Sequence, residues 1–355
     1  MIMKKSVSLL TILFCFVFSL NATILIVDKN PTAPSGSYLN VADAVAAASP
    51  GDTIYITPAA TDYGNFSLSK QLVIMGNGHY PNPYNDYPWI SEVGNININH
   101  SNASGSTIMG LRIKKISTSI SNVIDIIISQ NRITENVNSS TGSTNWVIRK
   151  NLFYLSPSYY SNFKIFINNN AHWFIENNIF SGIRPTAGYV YFITNSNSHD
   201  VAISNNIFIG DSLVIGNYKV FSEVSNAIIT NNIFYYKDPT GCEYCNFSNN
   251  LTYKTTQDTL PYGNNTGAYN ISNQDPQFVN APQTSHNYNY DYDYHLLQGS
   301  PGTNAGSDGT NIGIYGGTYP YSDIVQIPKV TNVHVLTPKI PLNDTLEVRV
   351  KAINY

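Results

Sequence analysis

The sequence predicts an all-β protein, a parallel β-solenoid with a helix near its amino terminus and a short β-rich carboxyl-terminal extension. Three observations support this prediction. The motif Asn-Asn-Ile-Phe occurs three times, at residues 177–180, 205–208 and 231–234. The second Asn of this motif, counted with weaker copies, recurs at spacings of 20, 27, 28, 26 and 18 residues. The segments between are short and apolar, whereas helical repeats show a 3.6-residue pattern.

Residues 1–22 have the pattern of a secretory signal peptide. Lys4 and Lys5 supply a positive start, residues 7–20 are apolar, and Ala22 is a small residue at a cleavage point. An uncleaved membrane anchor is the alternative, but the apolar stretch is short for a span of roughly 20 residues. We therefore expect a secreted or cell-surface monomer that begins at residue 23 and has no membrane span.

Residues 23–321 form the predicted solenoid and its cap. A short apolar strand at 23–27 precedes a segment in which Val41, Ala44, Val45 and Ala48 recur at helical spacing. Asn40 is the expected N-cap, and residues 49–52 end the helix. Because the first coil of a solenoid exposes an open edge, this helix is expected to cover it as a cap.

Stacked coils place equivalent residues about 4.8 Å apart, so identical side chains form ladders. Asn tolerates left-handed backbone angles, and its amide both donates and accepts hydrogen bonds. A structural ladder is predicted from the recurring second Asn of each repeat, namely Asn131, Asn151, Asn178, Asn206, Asn232 and Asn250.

The columns beside this ladder predict further contacts. Arg149 and Glu176, both two positions before a ladder Asn, should form a surface ion pair of about 0.5 kcal/mol. An inward stack is expected two positions after the ladder, at Ile133, Phe153, Phe180, Phe208 and Phe234. His172 and His199 stand six and seven positions before their ladder Asn, so they should point differently and not share a metal ion.

The carboxyl-terminal part departs from the repeat. Tyr288, Tyr290, Tyr292 and Tyr294 alternate as in a strand with one aromatic face. Residues 322–355 are predicted to add two or three strands but are too few for an independent core. This extension either covers the last coil or begins an incomplete module.

Composition limits the expected partners. Charged residues are 12% of the chain and the net charge is -3, which argues against nucleic acid and gives acidic glycans no long-range attraction. Cys242 and Cys245 form a small-loop disulfide or remain packed thiols, since Cys15 leaves with the signal. Aromatic clusters that offer flat faces to sugar rings, or else pack loops, are Tyr80, Tyr84, Tyr87, Trp89, Tyr159 and Tyr160.

Residues 39–63, the Asn-Asn-Ile-Phe repeats and the closing run at 294–317 resemble the right-handed parallel β-helix, pectate-lyase-like superfamily. The closing run is similar to the end of β-helix proteins exported by bacteria of the Bacteroidetes type. The resemblance implies a right-handed solenoid and two enzyme templates, lyases with a Lys or Arg base and calcium, and hydrolases with paired Asp residues. In the repeat region, Glu176, Asp200 and Asp211 are not part of an Asp-Asp or Asn-Thr-Asp motif. Arg112-Ile113-Lys114 is similar to the Arg-Ile-Lys of polygalacturonases, but it precedes the central coils, whereas that family has it late in the chain, and we interpret the match as coincidence.

Three functions remain open on the sequence. The first is binding of a polysaccharide or other extracellular polymer without catalysis and without a cofactor. The second is a polysaccharide lyase or glycoside hydrolase, acting on a plant or algal polysaccharide, with calcium if it is a lyase. The third is a structural or adhesion stem. The candidate catalytic residues are the scarce charges nearest regular rungs: Arg132, Arg149, Lys150, Glu176 and Asp200.

Overall fold

The computed structural model describes residues 22–80, 90–154, 164–168, 171–182, 191–196, 199–210, 219–281, 288–322, 329–335 and 348–353. This part of the chain is all-β and is built on two long parallel sheets, an architecture that fits a β-helix-like solenoid. After the first strand, each coil contributes strands to both sheets before the chain enters the next coil.

The ten-stranded sheet contains one strand from each successive rung. Its strands, in spatial and chain order, are β1 (Ile24–Val27), β2 (Thr53–Ile56), β4 (Val73–Gly76), β6 (Thr107–Met109), β8 (Ile127–Ser129), β10 (Val147–Arg149), β13 (Ala171–Glu176), β16 (His199–Ser204), β20 (Ile228–Thr230) and β23 (Asn246–Ser248). Every pair in this sheet is parallel and in simple register. Equivalent residues of successive rungs are therefore direct neighbours.

The twelve-stranded sheet divides at its fourth strand. A single path is formed by β3 (Phe66–Leu68), β5 (Glu92–Ile98), β7 (Arg112–Thr118) and β9 (Arg132–Asn138). The start of β9 continues into β11 (Leu152–Tyr154), β14 (Ile179–Ser181), β17 (Ile207–Ile209), β21 (Ile233–Tyr235) and β24 (Leu251–Tyr253). Its end continues into β12 (Ile165–Asn168), β15 (Ile193–Ser196) and β18 (Phe221–Ser222).

Shorter elements complete the described chain. They are the helix α1 (Val41–Ala47), a 3-10 turn (Ser101–Ala103), a parallel pair β19 (Val224–Ser225) and β22 (Cys242–Glu243), and antiparallel pairs β25 (Phe278–Asn280) with β26 (Asp293–Leu296) and β27 (Lys329–Val335) with β28 (Val348–Ile353). The predicted helix and its N-cap are confirmed, since the Asp43 backbone N–H donates to Asn40 Oδ1 at 2.8 Å. The helix lies against β1, β2 and β3, and its role as a cap stays a prediction.

An aromatic stack fills the interior, as the sequence predicted. Phe153, Phe180, Phe208 and Phe234 are fully buried. Successive rings lie 4.7, 4.9 and 5.2 Å apart at interplanar angles of 18° or less, because parallel in-register strands repeat the same side chain at the same place. Most of the buried apolar residues belong to this one continuous core.

The ladder asparagines form a buried column of amides. In each rung the backbone N–H and the Nδ2 group donate to Oδ1 of the next ladder Asn at 2.9–3.1 Å. Asn250 continues the pattern to Asn270, a seventh rung that the sequence analysis missed. Buried amide groups need such partners, so the column satisfies the polar atoms at the turn.

The expectation that ladder asparagines adopt left-handed angles is wrong. Positive φ values of 53–58° occur one position earlier, at Gln130, Lys150, Asn177, Asn205, Asn231 and Asn249, which we call the corner column. The reason is geometric. A ladder residue must direct both its backbone N–H and its amide along the stack, so the change in chain direction occurs at the residue before it.

The corner column holds a carboxyl-terminal segment, residues 305–322, which we call the strap. Asn177 Nδ2 donates to the carbonyls of Ile314 and Gly316 at 2.8 Å, and Gln130 Nε2 donates to the Ser322 carbonyl at 3.1 Å. Asn205 and Asn249 also donate to strap carbonyls, whereas Asn231 Nδ2 donates to the Ser307 hydroxyl. The strap thus runs along the stack, across six rungs, rather than forming another rung.

The residue directly after each ladder Asn faces outward in the twelve-stranded sheet, and this series, extended by the register partners Glu92 and Arg112 of the preceding rungs, is called the outer column. In order it reads Glu92, Arg112, Arg132, Leu152, Ile179, Ile207, Ile233 and Leu251. The apolar members are buried in a second cluster with strap residues such as Ile312 and Ile314. Gly313 has φ +92°, and a Cβ there would lie 2.7 Å from Ile233, so the close approach of the strap needs glycine.

Cys242 and Cys245 are joined by a disulfide with a Cα–Cα distance of 6.2 Å. Both side chains are buried. Tyr244, between them, has a left-handed φ of 56° and is 62% exposed. Of the two alternatives left open by the sequence, the structure has the disulfide, which closes a short turn at the carboxyl-terminal end of the ten-stranded sheet.

Candidate functional site

A cleft of about 520 Å³ lies between the strap and the segment that precedes β26, over Ile179 of the twelve-stranded sheet. Its aromatic lining consists of Tyr288, Tyr290, Tyr292, Tyr294, His295, Tyr315 and Tyr321. We call it the tyrosine cleft. The covering segments, and not the coils alone, create this cleft.

The predicted strand over residues 288–294 is wrong. Only Asp293–Leu296 forms a strand, because Tyr292 N–H closes a turn to the Asn289 carbonyl at 3.1 Å. The turn nevertheless brings all four alternating tyrosines to one cleft. Tyr288 and Tyr294 stack at 5.9 Å and 11°, with the other rings packed edge-on against them.

The tyrosine cleft has a buried floor and accessible walls. Tyr294 and Tyr321 are buried, and burial raises the pKa of Tyr294, so its hydroxyl remains protonated. Tyr290, Tyr292 and Tyr315 are half-buried. His295 is exposed and stacks on Tyr315 with ring centroids 3.5 Å apart. Aromatic faces with hydroxyl groups at their edges suit ligands that have both apolar faces and hydroxyls.

A second cleft of about 290 Å³, the charged cleft, lies beside the polar half of the outer column. Its lining residues are Asp62, Glu92, Val93, Gly94, Arg112, Lys114, Arg132, Thr134 and Tyr154. Arg112 Nε lies 3.4 Å from Glu92 Oε1, and Lys114 Nζ lies 3.4 Å from Glu135 Oε1. The Arg-Ile-Lys segment interpreted as coincidence therefore supplies two of the cleft's cations.

The two clefts meet at Tyr290 and Arg132. Arg132 Nη1 donates to Tyr290 Oη at 3.4 Å, and the guanidinium carbon lies 4.9 Å from the Tyr154 ring centre. Tyr290 Oη donates to the His79 carbonyl at 3.1 Å and contacts His79 Nδ1 at 2.9 Å. Tyr80, one of the predicted ligand-binding residues, packs edge-on against Tyr290 at 4.6 Å.

His79 anchors this junction from inside the protein. Its side chain is fully buried, and burial, with a further contribution from the Arg132 charge, lowers its pKa to about 3. The imidazole is therefore neutral at physiological pH. Because it contacts a tyrosine 211 residues further along the chain, it joins the amino-terminal coils to the segment that forms the tyrosine cleft.

Three of the candidate catalytic residues lie together: Arg149 and Glu176 end neighbouring strands of the ten-stranded sheet, and Lys150 follows Arg149 in the corner column. Arg149 Nη1 is 3.8 Å from Glu176 Oε1, which confirms the predicted ion pair. The Arg149 guanidinium also lies 4.2 Å from the ring centre of Tyr319 in the strap. Burial raises the pKa of Glu176, and burial and then the Arg149 charge lower the pKa of Lys150.

The structure does not gather all five candidate catalytic residues. Arg132 is in the twelve-stranded sheet. Asp200 is exposed at a left-handed position of β16, four residues before Ser204, the partner of Glu176. His172 and His199 are offset by one residue in register, as the spacing predicted. Five predicted aromatic ligand-binding residues lie outside the described residues: Tyr84, Tyr87, Trp89, Tyr159 and Tyr160.

Comparison with known proteins does not assign a function, since neither a protein-family model nor a curated protein matches the chain. Within the described ranges, no group of three or more His, Cys, Asp or Glu side chains is arranged to hold a metal ion. In the same part of the chain, no helix has the length and apolar character needed to cross a bilayer.

Proposed function

We propose that the protein is a secreted or cell-surface right-handed β-helix of the pectate-lyase-like type that binds a glycan in the tyrosine cleft without catalysis. The single observation that carries this proposal is the tyrosine cleft, whose size is within the range of small-molecule sites. Sugars present apolar C–H faces and a rim of hydroxyls. The half-buried rings of Tyr292 and Tyr315 match those faces, and their hydroxyls match the rim.

Export is supported by the amino-terminal sequence and by the disulfide. Cys242 and Cys245 are bonded, and disulfides persist mainly in oxidising compartments. The parallel sheets and the amide ladder support a β-helix, and α1 beside β1 supports the cap. The proposed glycan-binding surface outside the cell is the tyrosine cleft, which is formed in part by the strap.

The first test is retention of the mature protein, residues 23–355, in native gels that contain neutral polysaccharides. We expect Tyr315→Ala to weaken retention about tenfold, equivalent to about 1.4 kcal/mol, since it removes an accessible aromatic wall. Tyr269→Ala is the matched control, because Tyr269 is 82% exposed and lies outside the cleft. Absence of retention across the panel, or equal losses in the two variants, contradicts the proposal.

An enzymatic function is the second candidate, because Glu176 has a raised pKa beside Arg149 and Lys150. A carboxyl group with a raised pKa can act as a general acid in glycoside hydrolysis. Release of reducing ends or unsaturated products from neutral and uronic-acid polysaccharides, with and without calcium, tests it. Turnover that is abolished by Glu176→Gln replaces the binding proposal, whereas no release with retention intact supports it.

A further inference from the structure

We infer that Arg132 binds an anionic group, a carboxylate, sulfate or phosphate, that is carried by the ligand of the tyrosine cleft. This inference rests on the proposed function and specifies its ligand. It starts from the charged cleft, where three cations and two carboxylates line one cavity next to Tyr290.

Arg132 differs from the other cations of the charged cleft in its partners. Arg112 is paired with Glu92, and Lys114 with Glu135. Among the described residues, Arg132 has no carboxylate within 4.0 Å. Asp62 also lines the cleft, but its Oδ1 accepts the Gly64 backbone N–H at 2.8 Å and forms no ion pair with Arg132.

The guanidinium of Arg132 is also short of hydrogen bonds. Its Nε, like that of Arg112, is buried without a hydrogen-bond partner, but Arg112 Nε has the Glu92 carboxylate nearby, whereas Arg132 Nη1 makes one long contact, at 3.4 Å, with the Tyr290 hydroxyl. A half-buried guanidinium has up to five N–H donors, and leaving them unmatched costs free energy. The rings of Tyr154 and Tyr290, 4.9 and 5.7 Å away, compensate the charge only in part.

Such a group is suited to an oxyanion that offers two oxygens as hydrogen-bond acceptors. A guanidinium presents a rigid fork of N–H donors that matches the oxygens of carboxylate, sulfate or phosphate, and two nearby tyrosine rings restrict its orientation. Tyr290 lines the tyrosine cleft and its hydroxyl contacts Arg132 of the charged cleft, so the ligand proposed here extends past the Tyr290 hydroxyl from one cleft into the other. The attraction between Arg132 and this anionic group acts at short range, so it does not require a positive net charge, and the protein has a net charge of -3.

The experiment compares one polysaccharide backbone in four forms, neutral, carboxymethylated, sulfated and phosphorylated, by isothermal titration calorimetry at constant ionic strength. We expect wild type to bind at least one anionic form about tenfold more tightly than the neutral form. Arg132→Gln should remove that preference, so that the anionic and neutral forms bind this variant with equal affinity. Lys115→Gln, on neighbouring strand β7 and outside the cleft lining, is the matched control and should keep the preference.

The outcomes separate the two proposals. If wild type binds the neutral and anionic forms equally, or if Arg132→Gln and Lys115→Gln behave alike, the anion site is wrong and glycan binding stands. If no form binds, the proposed function fails, and thermal unfolding in acetate, sulfate and phosphate then decides the anion site. A rise in melting temperature that is present in wild type and lost in Arg132→Gln supports it, and equal rises overturn it.

Discussion

The outer column of the twelve-stranded sheet has two halves that differ in chemistry and in surroundings. Glu92, Arg112 and Arg132 are charged and line an open cleft. From Leu152 to Leu251 the same column is apolar and lies buried under the strap and residues 288–294. The backbone register is continuous across the change. Neighbouring rungs of one sheet can therefore line an open cleft or be packed under a covering segment, according to what lies over them.

Exchanging residue types between the two halves should have the largest effect on the free energy of unfolding. Ile207→Arg places a charge under the strap without a partner, and we expect a loss of about 4 kcal/mol in the free energy of unfolding. Arg132→Leu, the reverse exchange in the open half, should change it by less than about 1 kcal/mol. Urea denaturation measures both. A loss of under about 1 kcal/mol for Ile207→Arg would show that the strap does not cover this half in solution.

The amide ladder supports both halves, so interrupting it should be the next largest effect. Asn206→Ala removes the acceptor that the Asn178 backbone N–H and Nδ2 group share, and the amide that donates to the Ile175 carbonyl. Asn178 Nδ2 keeps its hydrogen bond to the Ile148 carbonyl, so the Asn178 backbone N–H is the buried donor that loses its partner. We expect about 3 kcal/mol of destabilisation in chemical denaturation. Asn177→Gly keeps the left-handed corner and removes only two bonds to the strap, and about 1–2 kcal/mol is expected. Equal losses in the two variants would contradict a distinct role for the ladder.

Lys164, a buried lysine beside the charged half of the outer column, should make the free energy of unfolding depend on pH. Lys164 Nζ donates to the carbonyls of Thr134 and Glu135 in β9, the strand that carries Arg132, and burial lowers its pKa from 10.5 to about 7. Above pH 7 the unfolded chain therefore binds a proton that the folded chain does not. Stability should rise with pH between about 7 and 10, by up to about 1.4 kcal/mol per pH unit.

Lys164→Met provides the comparison for this pH dependence. Lys237, whose pKa burial also lowers, is present in both proteins, so its contribution cancels in the difference. We expect the stability difference between wild type and Lys164→Met to change in favour of wild type as the pH rises from 7 to 9, measured by urea denaturation. A difference that is independent of pH would mean that Lys164 is not buried as an amine of low pKa.

The smallest expected effect is in the ten-stranded sheet, on the rungs that carry Leu152 and Ile179 of the apolar half. Arg149 and Glu176 are 3.8 Å apart and partly exposed, and burial raises the Glu176 pKa in spite of Arg149. A double-mutant cycle with Arg149→Gln and Glu176→Gln should give a coupling of about 0.5 kcal/mol. A coupling above about 1.5 kcal/mol would identify a buried, structurally important pair instead.

The parts of the fold that repeat could be predicted from the sequence. Parallel stacking brings equal positions into contact, so counting from one Asn was enough to place Phe180 beside Phe208 and Arg149 beside Glu176. The seventh rung at Asn270 was missed because its motif is degenerate. Its spacing of 20 residues from Asn250 was the available signal.

The candidate site could be predicted only in part. The alternating tyrosines were noticed, but as a strand, because alternation alone does not distinguish a strand from a turn that gathers side chains. Arg112 and Lys114 were set aside because a sequence motif was out of order, although their rungs place them beside Arg132. Tyr315 and His295 gave no periodic signal.

The repeat, the amide ladder and the inward aromatic stack can be predicted from the amino-acid sequence, because each depends on equal positions meeting in register. The path of the strap across the rungs depends on the folded protein, since contacts such as Asn177 with Ile314 join positions 137 residues apart and have no period. The folded protein therefore also decides which outward residues are buried, where the tyrosine cleft forms, and which arginine is left without a carboxylate partner among the described residues.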